Sequence, residues 1–169
     1  MIVDPNHTFI TSDHHFKSYD LPLSFMQVFS KSEEDSLIDK WNSVITSDDI
    51  VIYVGDFCDG NVNDLIQYRK RLNGNIVLVK GNHDILPDDA YKAIFNAVYE
   101  SVYLDNLNIS ISHYPTTDKA IKYHMHGHTH RSSDLKEILS NNIFCSCVSK
   151  HNGYPILLKD ILVSEKSRL

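Results

Sequence analysis

The sequence has no apolar run long enough to cross a bilayer. Stretches such as Ile50-Val51-Ile52-Tyr53-Val54 fall far short of the roughly 20 residues a spanning helix needs. Secretory-signal character is also missing at the N-terminus: Met1-Ile2-Val3-Asp4-Pro5-Asn6 has neither a basic region nor an apolar core. The expectation is a cytoplasmic protein with no membrane partner. There is no disulfide framework either. The three cysteines, Cys58, Cys145 and Cys147, are odd in number and form no C-x-x-C pair, so reduced thiols are expected. Cys145 and Cys147 lie two apart in a strand-like run and should share a face, packing the core. Low-complexity tracts and internal repeats are absent, which excludes a disordered chain or a solenoid. No long basic run occurs and the formal charge is −6, which argues against strong non-specific nucleic-acid binding.

What remains is an ordinary globular composition, 42% hydrophobic and 22% charged over 169 residues. That length fits one domain over 1–169 with a single substantial core. Four of the ten histidines crowd into His124-Met125-His126-Gly127-His128-Thr129-His130. In an extended chain, residues two apart face the same way. His128 and His130 can therefore project together, and neutral imidazoles brought together suit a transition metal.

The rest of the chain alternates strands and helices before becoming strand-rich. Strands are expected at His7–Thr11, Asp49–Val54 and Ile76–Val79, and apolar residues throughout the second mark it as buried on both faces. A helix should open at Ser32, an N-cap followed by Glu33, Glu34 and Asp35. A second helix runs from Val62 to Leu72. A third, after Pro87, carries Ala90, Ile94, Phe95 and Val98 at helical spacing. Strands are then expected at Ser101–Leu104, Asn108–Ile111, Ile143–Val148 and Tyr154–Leu158, with a helix over Asp134–Leu139. This order predicts an α/β fold with a mixed sheet.

The polar residues that matter follow the apolar strands. Asp13 and His15 follow the first, Asp56 the second, and Asn82, His83 and Asp84 the third. His113 ends a later strand, and His128 and His130 end another. Open α/β sheets bind ligands at the carboxyl ends of their strands. One sheet edge would thus collect three carboxylates, an asparagine and five histidines. Burying so many polar groups together requires a positive charge to satisfy them. One dication holds four to six ligands, and two use them all with one carboxylate bridging. Singly, each segment is equally well a turn or a chance pair; their joint occurrence after apolar strands is the informative fact.

These segments resemble the calcineurin-like metallophosphoesterase superfamily, whose D-x-H, G-D, G-N-H-D/E, H and G-H-x-H motifs occur in that order. Here they read Asp13-His14-His15, Gly55-Asp56, Gly81-Asn82-His83-Asp84, His113 and Gly127-His128-Thr129-His130. The likeness is strongest to small uncapped bacterial or phage members, through Thr11-Ser12-Asp13, Phe16, Gly55-Asp56-Phe57 and Ser112-His113-Tyr114-Pro115. Where those members often continue Phe16 with Gly-His, this chain has Lys17-Ser18. The resemblance implies a four-layer α/β/β/α sandwich with mixed β-sheets and a dinuclear metal site at the carboxyl ends of the strands. It implies that Asp13, His15 and His130 bind one metal, Asn82, His113 and His128 the other, and that Asp56 bridges. Donors of this type without thiolate favour two divalent ions, manganese first, with Fe, Zn, Ni or Co as alternatives.

The activity implied is phosphoester hydrolysis. Two ions about 3.5–4 Å apart clamp the phosphoryl group and acidify a bridging water, giving the hydroxide nucleophile. The resemblance makes His83 the general acid. Asp84, its neighbour, is expected to hold the ring and raise its pKa. A phosphodiesterase is favoured over a phosphomonoesterase because no inserted cap encloses a small substrate, and nucleotide-derived diesters are natural candidates. Lys17 and Arg131 are candidate substrate contacts, in or beside a loop at 16–31 that also carries Tyr19, Phe25 and Met26. His14 and His126 are expected behind the ligands, His124 as an ordinary strand residue, and Cys58 as filler beneath the site. Two other readings stand beside this one. A catalytically weak interaction module of the same fold is disfavoured by the complete ligand set. A structural zinc domain is disfavoured because no cysteine aligns with the cluster.

Overall fold

A computed structural model describes residues 1–18, 30–116, 118, 120–121, 123–130 and 143–166. Two sheets flanked by helices make up the fold. In the first sheet, β1 (Thr8–Thr11), β2 (Ile50–Tyr53), β3 (Asn75–Val79) and β4 (Ala97–Tyr99) run parallel. The short β9 (Ile156–Leu157) pairs antiparallel with β1, giving the order β4-β3-β2-β1-β9. The second sheet has the order β5-β6-β7-β8, with β5 at Ser101–Leu104, β6 at Ile109–Ser112, β7 at Tyr123–His126 and β8 at Ile143–Cys145. Within it, β5 and β6 are antiparallel, whereas β6, β7 and β8 run parallel.

Strand alternation divides the apolar residues between two cores. Phe9, Val51, Tyr53, Ile76 and Leu78 face the helices α1 (Lys31–Val44), α2 (Val62–Lys70) and α3 (Asp88–Ile94), packing on Trp41, Leu65, Tyr68 and Tyr91. Ile10, Ile52, Val54 and Val79 turn the other way. They meet Val102, Leu104, Ile109, Ile111 and Met125 of the second sheet. A strand so covered on both faces carries no exposed side, which is why Val51 to Val54 are all fully buried. A fourth helix, α4 (Leu158–Lys166), inserts Leu158 and Ile161 into this second core.

Several sequence expectations need correction. The N-cap of α1 is Ser30, not Ser32: its side chain accepts from the Glu33 N–H while Glu33 reaches back to the Ser30 N–H, a capping box. The third helix stops at Ile94, and Val98 belongs to β4, paired with Leu78. The expected strand at Ile143–Val148 ends at Cys145 and gives way to a 3-10 turn at Val148–Lys150. The strand at Tyr154–Leu158 shrinks to two residues before α4. The helix expected at Asp134–Leu139 lies outside the described residues, as do Tyr19, Phe25 and Met26.

Candidate metal centre

Parallel pairing of β1, β2 and β3 brings their carboxyl ends to one edge, and the loops beyond continue side by side. Asp13 N–H donates to Gly55 O at 3.0 Å, and His15 N–H to Asp56 O at 3.1 Å. The second sheet delivers its residues to the same edge. Gly127 N–H donates to His113 O at 3.0 Å, and His128 N–H to both Asp13 carboxylate oxygens at 3.0 and 3.1 Å.

The backbone there is unusual. Asp13 (φ 59°), His15 (46°), Asp56 (59°), His128 (66°) and His130 (36°) all adopt left-handed conformations. Non-glycine residues visit that region rarely, at a cost of about 1–3 kcal/mol each, and such strain concentrates at functional sites. Close approach is the second local requirement. A Cβ on Gly127 would stand 2.5 Å from Asp13 Oδ2 and 2.7 Å from Val54 O, and one on Gly81 would run into the Asp56 carboxylate. Gly127 is therefore needed for space; its φ is not in the positive region.

The side chains converge. Asp13, His15, Asp56 and His130 form one group whose donor atoms lie within 4.8 Å of one another, and Asp56, His113 and His128 form another. Asp56 is common to both. In the first group His15 Nε2 stands 3.2 Å from His130 Nε2 and 3.5 Å from Asp56 Oδ2, and His130 Nε2 stands 3.4 Å from Asp13 Oδ1. In the second, His113 Nε2 is 3.3 Å from Asp56 Oδ2 and 3.0 Å from Asn82 Oδ1. His15, Asp13, Asp56 and His113 are buried, whereas His128 and Asn82 are exposed at the mouth.

This arrangement fits divalent cations. Both nitrogens of His113 face acceptors, since Nδ1 donates to Val54 O at 2.8 Å and Nε2 faces the Asn82 and Asp56 oxygens. Burial works against a charged ring, but the hydrogen bond and charge of Asp56 prevail and raise the His113 pKa to about 9. A second proton is thus held where the surrounding oxygens demand positive charge. Burial also raises the Asp56 pKa, yet His113 and His15 hold it below the usual carboxylate value. His130 Nδ1 is buried with no hydrogen-bond partner among the described residues. Fixing the far nitrogen of a ring on a carbonyl or carboxylate leaves its other lone pair free for a metal; His113 is fixed in this way by Val54 O and His15 by Asp59.

Asp59 was not anticipated from the sequence. One oxygen accepts from His15 Nδ1 and the other from His83 Nδ1, each at 3.0 Å. Burial pushes its pKa up, but these two hydrogen bonds outweigh it and bring the carboxylate to about 2. The His83 pKa is raised, first by the Asp59 hydrogen bond, against an opposing effect of burial, with help from the charges of Asp56, Asp59 and Asp84. The expectation that Asp84 holds the His83 ring is therefore corrected. Asp84 instead accepts three backbone N–H groups, from Asp56 at 2.9 Å, Phe57 at 3.1 Å and Gly81 at 2.8 Å. It clips the loop after β2 to the loop after β3. The signal for Asp59 was a second carboxylate three residues beyond Asp56 in Gly55-Asp56-Phe57-Cys58-Asp59.

The remaining candidates separate. His14 lies behind the site, fully buried, with Nδ1 2.8 Å from the Tyr53 hydroxyl, and burial depresses its pKa to about 3. His126 Nδ1 donates to Gly127 O, and its ring stacks on His124. Lys17 is half-buried and donates its backbone N–H to Glu34 Oε1 at 2.6 Å. Arg131 lies outside the described residues. Tyr114, exposed, stands edge-on to His128 with ring centroids 4.6 Å apart. Cys58 is buried, and burial pushes its thiol up to about 12. Contrary to expectation, a cysteine does reach the cluster: Cys147 Sγ is 3.2 Å from Asp13 Oδ2.

The chain is similar to proteins described as uncharacterised or of unknown function. The chain is 26% identical over 129 residues to the uncharacterised protein MJ1445 of Methanocaldococcus jannaschii, covering 72% of this chain and 68% of that protein. Its fold is similar to the crystal structure of AQ665 from Aquifex aeolicus, a protein of unknown function. The TM-score is 0.74 at 22% identity, over 91% of this chain and 96% of the other. A model of the calcineurin-like phosphoesterases matches residues 7–160, nearly the whole chain, and the protein belongs to that family.

Proposed function

We propose that this protein is a dinuclear metal-dependent phosphoester hydrolase with a preference for diesters. The observation that carries the reading is the pair of donor groups sharing Asp56. Asp13, His15 and His130 would hold one ion, Asn82, His113 and His128 the other, with Asp56 between them. The donors are oxygens and imidazoles, a set that favours manganese, with iron, zinc, nickel and cobalt as competitors. When bound, such ions supply Lewis-acid polarisation of a phosphoryl group and a water acidified toward neutrality.

The chain's own residues supply the rest. His83, at the mouth with its side chain 31% exposed, is the general acid. Asp59 occupies its Nδ1 and favours its protonated form, which leaves Nε2 to donate to the departing alkoxide. Asp84 fixes the Asp56 backbone, and Asp59 orients His15. Among the described residues no further domain stands over the cluster, which supports an ester carrying groups on both sides of phosphorus, a diester. Nucleotide-derived diesters belong to that class.

The test is hydrolysis of paired mono- and diesters of one alcohol by protein loaded with manganese. Faster diester turnover is expected, abolished by chelation. Two bound ions with no hydrolysis of either ester would support the interaction-module reading instead.

A further inference from the structure

A line of polar contacts leaves the candidate metal centre through two thiols. Thr129 Oγ1 is 3.3 Å from Cys145 Sγ, which is 3.2 Å from Cys147 Sγ, which is 3.2 Å from Asp13 Oδ2. Its two ends are sensitive places. Thr129 sits between His128 and His130, and Asp13 takes the His128 N–H at both carboxylate oxygens, Oδ2 included.

The backbone fixes this pair. Cys147 bridges to Ser12, and Val148 N–H donates to Ser12 O at 3.0 Å. Between the thiols, Ser146 turns away and bonds Ser12 Oγ at 3.0 Å and His126 O at 2.8 Å. These contacts hold the backbone that carries both sulfurs. The two sulfurs already touch, and a covalent bond would bring them to about 2.05 Å. Cys145 is half-buried, whereas Cys147 and Cys58 are buried.

We propose that Cys145 and Cys147 are an oxidative modification site for peroxides, and that joining them as a disulfide weakens cation binding at Asp13 and the His128–His130 loop. The binding half rests on the metal reading given above. In the first step the Cys145 sulfur attacks one oxygen of hydrogen peroxide. The O–O bond breaks, the other oxygen leaves as water, and Cys145 becomes a sulfenic acid. The Cys147 sulfur then attacks the Cys145 sulfur. The S–S bond forms, the S–O bond breaks, and the departing oxygen takes the Cys147 proton to leave as a second water. Two thiols lose two electrons and two protons, and the peroxide gains them. Drawing the sulfurs together pulls Cys147 from Asp13 and Cys145 from Thr129. A small-molecule dithiol reverses the change by thiol–disulfide exchange.

The experiment treats the intact protein with hydrogen peroxide, counts thiols after denaturation, maps the peptide spanning 137–150, and titrates manganese into the reduced and oxidised forms by calorimetry. The thiol count should fall from three to one, with the peptide lighter by two hydrogens. The manganese Kd should rise roughly tenfold or more, about 1.4 kcal/mol, and return with dithiothreitol. Cys145→Ser should show no reversible rise relative to its own untreated sample, and Cys58→Ser should behave as wild type. A Cys58-linked product, over-oxidation without a disulfide, or a disulfide with unchanged Kd would overturn the proposal. A reduced protein that binds no manganese would overturn the metal reading and the coupling with it, while the thiol count still decides whether the pair oxidises.

Discussion

Asp59 holds His83 at 3.0 Å through one carboxylate oxygen while its other oxygen holds His15. One side chain thus ties the proposed general acid to a proposed metal ligand. Replacing Asp59 by Asn keeps the size and removes the charge. At saturating metal, hydrolysis of a diester with an alkoxide leaving group should slow roughly 10–100-fold, a partial loss of the ~10²–10⁴-fold that a general acid contributes. An ester releasing p-nitrophenolate needs little protonation and should be nearly spared. His83→Ala should show the same split with metal content retained. Equal losses on both esters would remove His83 from the acid role.

Asp84 has a different task, and its variant should look different. Asp84→Ala leaves the N–H groups of Asp56, Phe57 and Gly81 without their acceptor. Each buried donor left unpaired costs about 1–3 kcal/mol. Metal-free Asp84→Ala should lose on the order of 3 kcal/mol or more in urea unfolding, whereas metal-free His83→Ala should lose far less. Similar stabilities for the two would contradict the clip.

Away from the site, Asp49 governs a pH-dependent part of the stability. It accepts from the Thr46 N–H at 2.8 Å, the Thr46 hydroxyl at 2.7 Å and His7 Nδ1 at 3.2 Å. Burial pushes its pKa up, but the Thr46 hydrogen bonds prevail and the folded value lies below that of an ordinary aspartate. A depressed carboxylate contributes stability above its unfolded pKa and loses that contribution as pH falls through the folded value. Asp49→Asn should therefore cost about 1 kcal/mol at neutral pH. The gap to wild type should close as acid denaturation proceeds below about pH 4. A gap that stays constant would assign the loss to packing.

Gly127 should tolerate no side chain. The Cβ of Gly127→Ala would press on Asp13 Oδ2 and Val54 O. We expect manganese affinity to fall roughly tenfold or more, with the circular dichroism of the fold retained. Unchanged affinity would mean that Asp13 is not a ligand.

The sequence made the strand ends of the first sheet legible because Asp56 and Asn82 follow the apolar runs Ile50–Val54 and Ile76–Val79, which suit strands buried on both faces. It left Asp59 hidden because its partners are remote: His83 is 24 residues away and His15 is 44. The carboxylate three residues beyond Asp56 is the local sign, and it does not name those partners. Asp84 is expected against its sequence neighbour, yet the donors it meets are backbone groups of the loop after β2 and of its own loop. Phe95 and Val98 kept helical spacing with Ile94, but parallel pairing with Leu78 took Val98 into a strand, tertiary contact overriding local pattern. In α4, Leu158 and Ile161 do sit three apart and both are buried. The preceding alternation at Tyr154 to Leu158 masked that signal. Cys147 was placed in the core correctly as to burial, while its contact with Asp13 depends on a register between chain segments 134 residues apart.

The central claim is that two ions share Asp56. Manganese content after equilibration and desalting, measured on wild type beside Asp56→Ala, tests it most directly. The account predicts two ions per wild-type chain and impaired binding of both in the variant. One ion or none in wild type, or a variant that keeps two, would contradict it.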